Sequence, residues 1–123
     1  MKKTFYLLLL LAIALVVSCT KEGMGGKATI KGMAMHHSQM VSGATVYIKY
    51  NATELPGTNV TYYDDHVSSD ANADFQFSDL KKGDYYLFAV GFDSTISQQV
   101  SGGVHVEIKK KTETMTISIP VTE

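Results

Sequence analysis

The sequence predicts an all-β domain, a seven-stranded antiparallel sandwich with Greek-key connections. Two observations carry this prediction. After residue 26, short segments alternate apolar and polar residues with a period of two, and glycine, asparagine, aspartate and serine separate them. The same region shows no long stretch with the 3.6-residue apolar spacing of an amphipathic helix. Short alternating segments at this spacing are typical of antiparallel sandwiches.

Seven segments are candidate strands, and their alternation predicts which side chains face the core. In the second segment, Ala44, Val46 and Ile48 share one face, and Tyr47 lies on the other. The third segment has the weakest pattern. The fifth is apolar on both faces, which is typical of a strand at the centre of a sheet. The candidate strands are 27–34, 44–50, 60–63, 73–77, 85–92, 100–108 and 113–121.

A tyrosine corner is predicted where the fifth segment begins. Leu80 is followed three residues later by Gly83, and two residues after that by Tyr85. A tyrosine at the start of a strand can bond through its hydroxyl to backbone a few residues upstream. Gly83 can adopt the unusual backbone angles of such a turn. The alternative is an ordinary glycine turn with a buried tyrosine.

Residues 1–18 are expected to be a signal peptide. Lys2 and Lys3 precede 13 consecutive apolar residues, 5–17, fewer than the roughly 20 that span a bilayer. Val16-Val17-Ser18-Cys19 resembles the lipobox of bacterial lipoproteins, which implies cleavage before Cys19 and lipidation of its thiol. Acyl chains on Cys19 would anchor the protein to a membrane. Because Cys19 is the single cysteine, an internal disulfide is excluded.

The lipoprotein resemblance also implies a location. Thr20 stands where Gram-negative inner-membrane lipoproteins carry aspartate, so the outer membrane is expected, with a periplasmic or surface-facing orientation left open. Residues 19–26 contain a glycine-rich run and are expected to form a flexible tether. Residues 27–123 would then form the folded domain.

The charge of the chain argues against a nucleic-acid partner. All 11 basic residues are lysines, and there are 12 acidic residues. Removing residues 1–18 removes two lysines, so nine lysines face 12 acidic residues and the net charge is −3. Arginine, the residue best suited to bidentate contacts with phosphates and bases, is absent from the sequence.

Three motifs together resemble a known family. They are Gly43-Ala44-Thr45-Val46, the run of residues 69–77, and the series Leu80, Gly83 and Tyr85. In this order they resemble carboxypeptidase regulatory-like domains, a branch of the transthyretin-like (prealbumin-like) sandwiches, over residues 27–121. The resemblance implies a transthyretin-like fold and an accessory role, since such domains occur on peptidases, outer-membrane receptors and surface proteins. Ala73-Asp74 departs from the glycine usual before the strand aromatic.

Catalytic and calcium-binding patterns are not supported. None of the four histidines lies in a nucleophile elbow or a His-Glu-x-x-His motif, so an enzyme is not expected and no cofactor is implied. The run of residues 70–74 begins like a calcium loop. However, Phe75 and Lys81 stand where such a loop needs glycine and glutamate.

Two tyrosines and one serine are candidate surface sites. Tyr47 and Tyr86 lie opposite the core side of their strands and could stack on sugar rings or anchor a protein partner. Alternatively, both faces of the central sheet are partly covered. Asp93-Ser94-Thr95 resembles an O-glycosylation sequon of some Gram-negative envelope proteins, with Ser94 as the acceptor in a loop.

A metal site is a further candidate. One short segment is dense in soft ligands that suit copper, and His66 could join from a neighbouring loop. The alternative is a variable loop whose methionines cover one end of the core. The ligands in this segment are Met33, Met35, His36, His37 and Met40.

The sequence therefore predicts a non-enzymatic envelope lipoprotein, anchored to a membrane, that acts as an interaction or accessory module for a protein partner or a glycan. One alternative is a periplasmic protein that binds a small ligand or copper through the methionine and histidine segment. A second alternative is a carbohydrate-binding module.

Overall fold

The computed structural model describes residues 21–123 and confirms the predicted β-sandwich. The predicted signal peptide and Cys19 lie outside these residues. Within them, no helix is long and apolar enough to cross a membrane. The strands are β1 (Met24–His36), β2 (Gln39–Met40), β3 (Thr45–Tyr50), β4 (Asp65–Ser68), β5 (Asp74–Leu80), β6 (Gly83–Asp93), β7 (Gln98–Ile108) and β8 (Thr114–Pro120).

Two sheets pack face to face. In sheet I, β1 lies between β5 and β8, and the short β2 forms a hairpin with the end of β1. Sheet II has the order β4-β3-β6-β7. One pairing differs from the expected antiparallel arrangement, because β1 and β8 run parallel from Thr29–Thr114 to Met35–Pro120. Side chains alternate between the two faces of a strand whether the neighbouring strand runs parallel or antiparallel, so the sequence does not predict this parallel pairing.

The inward alternation predicted for the strands is confirmed. The core lies between the sheets and combines aliphatic side chains from both. The side chains of Ile30 and Ile119 from sheet I and of Val46, Ile48 and Leu87 from sheet II are 0% exposed.

The predicted third strand is wrong in position. Val60–Tyr62 form a single 3₁₀ turn with no buried residue, and the strand that follows is Asp65–Ser68. The side chain of Asn59 accepts a hydrogen bond from the Thr61 backbone N–H at 3.1 Å. A local side-chain bond of this kind competes with strand pairing, and it turns the chain before β4.

The predicted tyrosine corner is confirmed. Tyr85 is 0% exposed, and its hydroxyl donates a hydrogen bond to the carbonyl of Lys81, which closes the turn between β5 and β6. Gly83 lies in that turn with φ +139°, a backbone angle that favours glycine.

The start of β1 corrects the expected tether. Residues 24–26 belong to β1, and Gly23 is buried just before it. The Gly23 N–H donates to the Tyr85 hydroxyl at 2.9 Å, and the Gly23 carbonyl accepts from the Lys81 N–H at 2.9 Å. Residues 23–26 are therefore part of the folded domain, because residues 24–26 belong to β1 and the tyrosine corner binds Gly23 to the turn before β6.

Candidate functional site

A cluster of aromatic side chains occupies the outer face of sheet II. Tyr47 on β3 pairs with His66 on β4 and with Phe88 on β6, and paired residues on neighbouring strands point to the same face. The ring centroids of Tyr47 and His66 lie 5.7 Å apart. We call this surface the aromatic face and define it by Tyr47, Tyr63, His66, Tyr86 and Phe88.

The loop before β4 covers the middle of the aromatic face. Tyr63 stacks on Phe88, with ring centroids 5.8 Å apart and ring planes 17° from parallel. Its hydroxyl donates to the Gly57 carbonyl at 2.9 Å, which fixes the ring within the loop. Phe88 is consequently 4% exposed although it points away from the core. Sequence reasoning missed Tyr63 because it placed this residue in the weakly alternating third candidate strand, whereas Tyr63 lies in the loop before β4.

Tyr86 lies against a glycine on the neighbouring strand. A Cβ placed on Gly103 of β7 would lie 2.5 Å from Cε1 of Tyr86, so the ring occupies the space of the missing side chain. Tyr86 is half-buried and Tyr47 is half-buried beside it across β3 and β6. The two predicted binding tyrosines are therefore on one face, which they share with Tyr63.

Polar pairs lie beside the aromatic rings. His105 on β7 pairs with Tyr86 in register, and its Nε2 lies 2.8 Å from Oδ1 of Asp84. On the other side of Tyr86, Nζ of Lys49 lies 3.5 Å from Asp64. This arrangement offers flat apolar rings bordered by carboxylates, an imidazole and an ammonium, which can donate and accept hydrogen bonds.

Burial changes the titration of Tyr63. Desolvation is the main cause that raises its pKa to about 12, and the neighbouring Tyr86 adds to this effect. Because burial disfavours the charged phenolate, the folded protein holds this proton more tightly than the unfolded chain does.

We expect Tyr63 to make stability fall at alkaline pH. Its pKa is higher in the folded state than the usual value near 10, so its contribution to stability is lost as pH rises from about 10 through 12. Urea denaturation at pH 8 and pH 11 measures the loss, which should be smaller in Tyr63→Phe than in the wild-type protein. Equal losses in the two proteins would contradict this assignment.

Ser94 is exposed in the turn between β6 and β7. Its neighbours shape that turn, because the carboxylate of Asp93 accepts from the backbone N–H of Thr95 at 2.9 Å and from its hydroxyl at 2.6 Å. The serine is thus accessible, and its O-glycosylation stays a prediction.

The predicted metal-binding side chains are divided among three places. His36 and His37 lie together at the end of β1, with ring centroids 4.5 Å apart. Met35 and Met40 face each other across the β1–β2 hairpin, and Met33 is two residues earlier on the face of β1 that carries Met35. His66 does not join them, because it lies on the aromatic face of the other sheet.

Two carboxylates flank His36, and sequence reasoning identified neither. His36 is 4% exposed, and its Nδ1 lies 2.7 Å from Oδ2 of the buried Asp93. Its Nε2 lies 2.6 Å from Oε2 of Glu123. Asp93 and Glu123 are distant from His36 in sequence, so only the folding of the chain brings them together.

The charges of this cluster are mutually stabilising. The hydrogen bond to Asp93 is the main cause that raises the pKa of His36, and burial opposes it. The pKa of Asp93 is lowered to about 2, chiefly by the Thr95 hydroxyl and next by His36. Asp93 is thus held as a carboxylate that faces the His36 ring.

Comparison with known proteins identifies the fold. No family model matches the chain, and no curated protein sequence matches it. The major pilin subunit of Bacillus cereus is similar in structure, with a TM-score of 0.54, 16% sequence identity and coverage of 80% of this chain and 30% of the pilin. A Pseudomonas aeruginosa protein suggested to bind carbohydrate has a TM-score of 0.53 and 13% identity, with 80% and 90% coverage.

These likenesses have a limited meaning. At 16% and 13% identity they concern the fold alone, and the chain spans 30% of the length of the pilin subunit. Both neighbours agree with what the strands and sheets of this chain show, namely that it folds as a β-sandwich.

Proposed function

We propose that this protein is a non-enzymatic, lipid-anchored binding module of the bacterial cell envelope, and that its aromatic face binds a glycan. The observation that carries the proposal is the placement of Tyr47 and Tyr86, half-buried on one sheet face among polar pairs.

The chemistry of this face suits a sugar. An aromatic ring has an electron-rich face, which attracts the weakly positive C–H groups on the flat side of a pyranose. Carboxylates such as Asp84 and imidazoles such as His105 can bond to the hydroxyls at the edge of the sugar ring. A glycan can therefore contact both the aromatic rings and the polar side chains beside them.

The rings are also held in place before any ligand binds. Tyr86 fills the space above Gly103, and the Tyr47 ring lies 5.8 Å from that of Tyr63 and 5.7 Å from that of His66. Rings that are already ordered lose little conformational freedom on binding, which favours affinity. The similar Pseudomonas aeruginosa protein, itself suggested to bind carbohydrate, adds support for this class of ligand.

The envelope location is supported by the first residues of the chain. Val16-Val17-Ser18-Cys19 has the lipobox pattern, and two or more acyl chains are enough for stable anchoring. The binding face would then be held at a membrane surface, which is where an envelope glycan or an assembled partner is found.

Binding to an array of bacterial envelope polysaccharides and plant polysaccharides tests the proposal. We expect Tyr47→Ala and Tyr86→Ala each to weaken binding about ten-fold or more, because each removes a central aromatic contact. Tyr62→Ala is the matched control, since Tyr62 is 56% exposed and is not part of the aromatic face. Circular dichroism of each variant checks that the fold is retained.

Two outcomes would overturn the glycan assignment. The first is unchanged glycan affinity in both Tyr47→Ala and Tyr86→Ala. The second is the absence of any glycan ligand together with a protein that cross-links to the wild type in native membranes and is lost in Tyr86→Ala. The second result would assign the aromatic face to a protein partner.

A further inference from the structure

We propose that the end of the sandwich where β1 meets the β6–β7 turn binds a divalent transition-metal ion, Zn²⁺ or Cu²⁺, through His36, His37 and Glu123. This site lies apart from the aromatic face and shares no residue with it. The inference is therefore independent of glycan binding.

The three side chains already converge. Their ligand atoms, one from each residue, all lie within 4.8 Å of one another. Within residues 21–123, this is the one group of three histidine, cysteine or acidic side chains that are close enough to share a metal ion. Bonds of about 2.0–2.1 Å in a tetrahedral zinc site place neighbouring ligand atoms about 3.3 Å apart. Glu123 must therefore withdraw slightly from His36, and its side chain, 51% exposed, is free to do so.

The backbone explains why adjacent histidines can share a site. On a regular strand, neighbouring side chains point to opposite faces. His37, however, has φ +56°, which ends the regular strand at this residue. Its ring centroid consequently lies 4.5 Å from that of His36, and both rings border the same space.

One nitrogen in the cluster is imperfectly paired. The His36 side chain is 5% exposed, and within residues 21–123 its Nε2 faces the Glu123 carboxylate at 2.6 Å without the alignment of a hydrogen bond. Buried polar atoms are nearly always satisfied. A metal ion between His36 and Glu123 would satisfy this one.

A buried carboxylate orients the histidine for this role. Asp93 lies 2.7 Å from Nδ1 of His36 and is itself fixed by two hydrogen bonds from Thr95. When Nδ1–H donates to a carboxylate, the proton stays on Nδ1 and the lone pair of Nε2 is available to a metal. Metal-binding histidines commonly have such a carboxylate behind them.

The donor set indicates the class of ion. Two imidazole nitrogens and one carboxylate oxygen suit zinc and copper, whereas calcium and magnesium prefer oxygen ligands alone.

Isothermal titration of the full-length protein with ZnCl₂ and with CuSO₄ tests the site. The protein is purified in detergent without a histidine tag and stripped with EDTA. We expect one equivalent of ion to bind, and His37→Ala and Glu123→Gln each to lower the affinity at least ten-fold. Asp93→Asn, which leaves the three ligands in place, should lower it about 10–100-fold.

His66→Ala is the matched control, because it removes an exposed histidine far from the cluster and should leave the affinity unchanged. His37 and Glu123 are both exposed, so their replacement tests the site without opening the core. Absence of binding by both ions would overturn the proposal. Equal affinity in the wild type, His37→Ala and Glu123→Gln would overturn it as well.

Discussion

Replacing Gly32 by alanine is expected to lower the free energy of unfolding by about 3 kcal/mol or more. Gly32 lies in the middle of β1, opposite Phe75 of β5 and Ile117 of β8. An added Cβ would overlap the backbone carbonyl oxygen of Ile117. A backbone atom between two paired strands cannot rotate away as a side chain can, so the parallel pairing of β1 and β8 would have to open.

Urea denaturation followed by circular dichroism measures this effect. Lys31→Ala is the control, because Lys31 is the neighbouring residue on β1 and its side chain is exposed. We expect the free energy of unfolding of Lys31→Ala to lie within about 0.5 kcal/mol of the wild-type value, as is usual for surface substitutions. If Gly32→Ala were as stable as the wild type, β8 would not approach Gly32 of β1 this closely.

Tyr85→Phe is expected to destabilise the protein by about 2–3 kcal/mol, because it leaves buried backbone groups without partners. The Tyr85 hydroxyl accepts from the Gly23 N–H and donates to the Lys81 carbonyl. Phenylalanine retains the packing of the ring and removes only the oxygen. The loss therefore reports on the two hydrogen bonds that join the turn before β6 to the start of β1.

Thermal and urea unfolding of Tyr85→Phe should be compared with those of Tyr62→Phe. Tyr62 is 56% exposed, and water can replace any bond that its hydroxyl makes. Amide hydrogen exchange adds a local measurement, since the Gly23 amide should exchange faster in Tyr85→Phe. A variant with wild-type stability and wild-type exchange at Gly23 would mean that the corner does not hold this segment.

The local features of the fold could be predicted from the sequence. Period-two alternation identifies the inner face of a strand, so the burial of Val46 and Ile48 and the outward placement of Tyr47 follow directly. The tyrosine corner depends on the spacing of Gly83 and Tyr85 within one turn. These features need only neighbouring residues, and such residues are visible in the sequence.

Features that depend on distant segments could not be predicted. The parallel pairing of β8 with β1 leaves no mark in the pattern of either strand. The third strand was misplaced because the Asn59 cap turns a short apolar segment into a 3₁₀ turn. In the candidate metal site, the histidines were visible as neighbours, whereas Asp93 and Glu123 reach them only through the tertiary fold.

The secured start of β1 has a mechanical consequence for the lipid-anchored form that we propose. Only residues 19–22 would separate the acyl chains from Gly23, and a linker of this length spans about 14 Å at most when fully extended. Tension on the anchor would act along the axis of β1, which is bonded to β5 on one side and β8 on the other. These bonds would be loaded together in shear instead of peeling in sequence, so the domain would withstand pulling forces between the membrane and whatever its aromatic face holds.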